Sequence, residues 1–75
     1  MVEKVRRGDL VLFGDFKCLI STANITRNSG TAVFLSSGEF QKVYYDSSDL
    51  KKAKRLKVSQ VPKKLAELRR QYLKY

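Results

Sequence analysis

Apolar residues recur in two different rhythms along this chain. Up to residue 45 they form short runs broken by glycine and small polar residues, which is the signature of strands joined by tight turns. "DLVLF" (9–13) reads as a first strand, ended by Gly14-Asp15. "FKCLISTANI" (16–25) continues as a second, rich in β-branched and apolar residues. "TRNSG" (26–30) supplies the short polar side chains and the permissive glycine of a loop. "TAVFL" (31–35), the turn "SSGE" (36–39) and "FQKVYY" (40–45) then read as a β-hairpin. "DSSDL" (46–50) fits a single turn, of 3₁₀ type if regular.

The stretch "LKKAKRLKV" (50–58) supports two readings. As a strand over 54–58, Leu56 and Val58 point one way and Arg55 and Lys57 the other. As a helix, Leu50, Ala53 and Leu56 make a weak stripe. The strand is favoured because the preceding four strands need a partner for their edges. Beyond it the rhythm changes. Val61, Leu65, Leu68 and Tyr72 recur at spacings of four, three and four, one apolar face of a helix over about 61–74, with Pro62 in its first turn. A helix of that length is marginal alone and must dock on the sheet or on a partner.

These elements make a mainly β fold with a short C-terminal α-helix. At 75 residues the chain holds one domain with one small core. No run reaches the ~18 apolar residues of a membrane span, and "MVEKVRRGDL" has no signal-peptide core, so a cytoplasmic setting is expected. The single Cys18 has no internal disulfide partner and reads as a small buried hydrophobe.

Charge sharpens the picture. The net charge is +9. Residues 1–50 balance six basic against six acidic groups, whereas residues 51–75 carry ten basic groups and only Glu67. Such one-sidedness points to a polyanionic partner, DNA more than RNA, with a nucleoid location if DNA is bound. Catalysis is not expected: the chain has no His, no cysteine cluster for zinc and no phosphate-cradling loop. Its Asp and Glu residues fall mostly in turns, where they bond the local backbone. No cofactor, metal or small-molecule ligand is expected.

If Val43 and Tyr45 face the core, Phe40, Lys42 and Tyr44 form an aromatic–cation–aromatic row on the opposite face. Rings in such a row stack on bases while lysine meets phosphate. Phe40 could instead pack under the C-terminal helix. Lys51, Lys52, Lys54, Arg55 and Lys57 offer further phosphate contacts, as do Lys63, Arg70 and Lys74 on one helix face, with Lys64 and Arg69 beside them. Lysine predominates in "LKKAKRLKV", which favours backbone contacts over bidentate base reading. The competing expectation is a protein-interaction module, an adaptor or inhibitor for an acidic protein surface, docking through the apolar helix face and the Tyr72–Tyr75 end.

"GDLVLF" (8–13), "TAVFLSSGEFQKVYY" (31–45) and "SDLKKAKRLKV" (48–58) together resemble the small SH3-like β-barrels of KOW and Tudor type, over residues 7–58. "VSQVPKKLAELRRQYLK" (58–74) is similar to the terminal helix of small archaeal SH3-like chromatin proteins. The resemblance implies a five-stranded barrel followed by a helix. It also implies peptide or protein binding as an alternative to nucleic acid. A Tudor-like cage for methylated cations would draw on Phe40, Tyr44 and Tyr45, but the net charge of +9 disfavours a cationic ligand.

Overall fold

A computed structural model describes residues 4–74. Its five antiparallel strands are β1 (Leu10–Phe13), β2 (Phe16–Asn24), β3 (Ser29–Ser36), β4 (Glu39–Tyr45) and β5 (Lys54–Arg55). They form one sheet in the order β4-β3-β2-β1-β5. Helix α1 (Ser47–Lys52) precedes β5, and helix α2 (Lys63–Leu73) ends the described chain. The fold is thus mainly β with a C-terminal helix.

The turns explain why consecutive strands pair. Phe13 pairs with Phe16, leaving Gly14-Asp15 as a two-residue loop with Gly14 at φ 60°. Glycine at the first central position is what a type II′ hairpin turn uses. Ser36 pairs with Glu39, and both loop residues, Ser37 and Gly38, have positive φ (52° and 81°), as a type I′ turn requires. Between β2 and β3 the side-chain oxygen of Asn24 accepts from the Arg27 amide (3.2 Å), and Asn28 takes a left-handed φ of 54°. β3 therefore begins at Ser29, inside the segment expected to be loop.

Both faces of the sheet are covered, not the single core expected. On the inner face Val11, Cys18, Ile20, Ala32 and Tyr45 pack with Val5, Leu50 and Ala53. On the outer face Leu10 and Leu19 meet Leu65, with Val33, Leu56, Val61, Leu68 and Tyr72 around them. The helical face read from the sequence is the one that docks. Its helix is shorter than expected: Pro62 is the N-cap and Val61 lies before it.

Three other expectations change. "DSSDL" opens a full α-helix. Asp46 Oδ1 accepts from the Asp49 amide (3.1 Å) and Asp49 Oδ2 from the Asp46 amide (3.0 Å), a reciprocal cap that starts the helix firmly. The strand expected over 54–58 contracts to Lys54–Arg55. β1 begins at Leu10, whose carbonyl takes the Leu56 amide (2.9 Å). Past that point no strand residue remains to pair, so Val58 sits 45 % exposed in a 3₁₀ turn and anchors nothing. Among the described residues no ladder joins β4 to β5, so the sheet is not closed into a barrel. Helix α1 touches both β1 and β4 and spans the gap between them.

Leu65 is the fully buried side chain of α2, and it serves the outer core alone. Leu65→Ala is expected to cost about 2–5 kcal/mol. Hydrogen exchange should show α2 amides losing protection first, while the amides of Cys18, Ile20 and Ala32 keep theirs longer. Equal loss in both sets would mean that the two cores are not separable.

Candidate nucleic-acid interface

Strand register decides where the candidate residues point. Directly paired residues in an antiparallel sheet share a face. Val33 belongs to the outer core and pairs with Lys42; Leu35 pairs with Phe40, and Thr31 with Tyr44. The row Phe40, Lys42, Tyr44 therefore lies on the α2 side of the sheet, and Val43 and Tyr45 on the other, as alternation requires. Phe40 is 44 % exposed and Tyr44 75 %. With that exposure, Phe40 is not buried beneath the docked helix.

The same logic places Lys54. It pairs with Leu12, which pairs with Lys17, in step with outer-facing Leu10 and Leu19. Lys17, Lys42 and Lys54 are all exposed and all outward, and no outward strand position holds a carboxylate. Lys17 is not among the residues expected from the sequence, although its alternation with Leu19 in "FKCLI" marks its face. Lys63 and Arg70 are exposed on α2, and Lys74 at its C-cap. Their spacings of seven and four keep them on one side of that helix, spread over about 16 Å of its length.

The remaining candidates divide. Lys51 and Lys52 are exposed in the last turn of α1, and Lys57 is exposed after β5. Arg55 is a structural clamp. Its Nη1 lies 3.3 Å from Asp9 Oδ2, and its Nη2 donates to the Lys4 carbonyl (2.5 Å). It pairs with inner-facing Val11, away from the outward lysines. Arg69 is likewise engaged, donating from Nε to the Gly8 carbonyl (2.8 Å). Arg7 covers the Tyr72 ring at 4.6 Å. The apolar face of α2 is thus occupied by its own sheet; Tyr75 lies outside the described residues.

The inner face holds a cavity of about 200 Å³ at the end nearest the β1–β2 turn. Two ring pairs line it: Phe13 with Tyr45, centroids 5.6 Å apart, and Phe16 with Phe34, 4.8 Å apart. Asp49 of α1 is the charged residue in its lining. Phe40, Tyr44 and Tyr45 cannot form a cage of their own, because alternation along β4 sends Phe40 and Tyr45 to opposite faces. Parity also marks Phe13, Phe16 and Phe34 as inner residues in the sequence; what it does not reveal is that α1 leaves space beside them.

Cys18 also borders this cavity. Burial raises its thiol pKa from 9.0 to about 11, against a smaller opposing effect of a hydrogen bond with the Phe13 backbone. The Tyr45 hydroxyl is raised too, first by burial and then by the negative charge of Asp9. Comparison with protein-family models, with curated proteins and with solved structures returns no match. Among the described residues no helix is long and apolar enough to cross a membrane.

The raised thiol pKa has a definite sign. Its stabilisation is complete below pH 9, where the thiol is neutral in both states. As pH rises from 9 through 11 the unfolded thiol ionises first, and about 2–3 kcal/mol is lost. Urea midpoints at pH 8 and pH 11 should show this fall, steepened by Tyr45. Cys18→Ala should flatten the cysteine share; an unchanged pH dependence in that variant would show that the thiol does not cause it.

Proposed function

We propose that this chain is a nucleic-acid-binding module that grips mainly the phosphate backbone, DNA in preference to RNA, with little sequence preference. The observation that carries this reading is the segregation of charge on the outer face. Lys17, Lys42 and Lys54 project there with no carboxylate at an outward strand position, and α2, docked on the same face, adds exposed Lys63, Arg70 and Lys74 around the single Glu67. Three of the carboxylates have other work: Asp9 holds Arg55, while Asp46 and Asp49 cap α1. Exposed lysines on a rigid sheet meet phosphates as point charges, and Phe40 and Tyr44 add stacking surfaces beside Lys42. Such binding falls steeply with salt because each phosphate contact releases counterions.

The protein-partner alternative loses its main support, since Leu65, Leu68 and Tyr72 are committed to the sheet.

Fluorescence anisotropy with a generic duplex is expected to give a log–log salt slope of about −4 to −5, for four to six phosphate contacts. Reversing Lys17, Lys42 and Lys54 to glutamate should weaken binding and flatten the slope by about three. None of these three lysines forms an ion pair among the described residues, so the thermal midpoint should hardly move. No binding at 50 mM salt, or binding indifferent to the reversals, would refute this reading.

A further inference from the structure

We propose that the inner-face cavity takes one unpaired nucleobase, preferentially cytosine, so that the chain favours single strands over duplexes. The inference rests on the nucleic-acid reading for the strand that delivers the base, and adds a second site on the other side of the sheet. Four rings in two pairs wall a space of about 200 Å³. A cavity of about 150 Å³ is enough to admit benzene, so a single six-membered base ring has room here. Phe16 is 56 % exposed, which opens the cavity to solvent and lets a base slide in against its ring.

The chemistry at the edge selects the base. Asp49 Oδ2 already accepts from the Asp46 amide, which fixes the carboxylate and leaves Oδ1 able to accept. The exocyclic amino group of cytosine is the donor that Asp and Glu read. Thymine offers no such group. Phosphates on either side of the base have partners close by. Lys52 follows Asp49 by three residues in α1, about 4.5 Å along the axis, and Lys51 is exposed beside it. A cationic ligand would gain from the rings, but it would approach past these lysines and shed its hydration in an otherwise apolar space. A neutral base bears neither cost.

Two measurements test this separately from the phosphate grip. Uncharged cytidine, titrated into the protein and followed by amide NMR, should shift Phe16, Phe34 and Asp49 and leave Lys42 unmoved. By anisotropy a ten-residue deoxycytidine oligomer should bind tighter than its deoxythymidine counterpart and tighter than a duplex. Phe16→Leu keeps an apolar side chain but removes the stacking face. It should weaken single-strand binding about 5- to 100-fold while duplex affinity and thermal midpoint stay put. Asp49→Asn should bring the deoxycytidine oligomer down to the level of the deoxythymidine oligomer. The proposal fails if saturating cytidine shifts no cavity residue, or if Phe16→Leu binds single strands as tightly as the parent chain. Shifts from tetramethylammonium in place of cytidine would make it a cation site instead. Loss of all polymer binding with cytidine shifts intact would refute the phosphate reading and keep the cavity assignment.

Discussion

Everything in this molecule hangs on the two-sided burial of β2. Cys18, Leu19 and Ile20 are consecutive and each is at most 1 % exposed. Alternation sends Leu19 to α2 and its two neighbours to the inner core. One strand therefore clamps a helix on one side and the α1 layer on the other. The next residues bend it. At Ser21 the register with β3 shifts, and the Thr31 hydroxyl meets both Ser21 and Thr22 hydroxyls at 2.7 Å. Tyr45 donates to the Thr22 carbonyl (3.0 Å), and a Cβ at Gly30 would run into that same carbonyl. A bulge of this kind increases the local twist of the strand, and glycine is what lets the backbones come so close.

That two-sidedness also sorts the charge. A sheet with both faces covered leaves its polar side chains only the margins of each layer. On the outer side the margin beyond α2 falls to lysines and to the aromatic row of β4. On the inner side Asp46 and Asp49 are drawn to the start of α1 by the amides they cap, and Asp9 is tied to Arg55. Neutrality in the first fifty residues thus hides a separation across the sheet. A count of charges along the chain finds the cationic C-terminal third; it cannot find Lys17 and Lys42 standing on the same side of the sheet as Lys54.

Strand periodicity and turn chemistry were strong enough to read four strands and the docking face of α2 from residues alone. Their limits were local competition and tertiary partners. The sequence 46–52 looked like a turn because it is short and polar, yet the Asp46–Asp49 cap commits it to a helix. Leu50, Ala53 and Leu56 were read as one helical stripe or set aside for a strand. The fold uses all three differently: Leu50 from α1 and Ala53 just after it go inward, Leu56 outward. Val58 could not be placed correctly without knowing that β1 runs out of pairing residues. The roles of Arg55 and Arg69 depend on backbone carbonyls at Lys4 and Gly8, fifty-one and sixty-one residues away, and no local pattern encodes such contacts.

The basic stretch after Leu50 shows how such a cluster becomes directional. With both Leu50 and Ala53 buried, the end of α1 is pinned from two points. Lys51 and Lys52 must then leave on its exposed side. One residue later the chain enters the sheet edge, and strand alternation splits the next pair: Lys54 to the outer face, Arg55 toward Asp9. Of the five basic residues in nine positions, Lys51 and Lys52 thus emerge at the end of α1, Lys54 on the outer face and Lys57 beyond β5, with Arg55 spent on holding the N-terminal turn. A disordered cationic tail could supply the same charge but not that division, because it is the burial of Leu50, Ala53 and Leu56 that fixes where each lysine emerges.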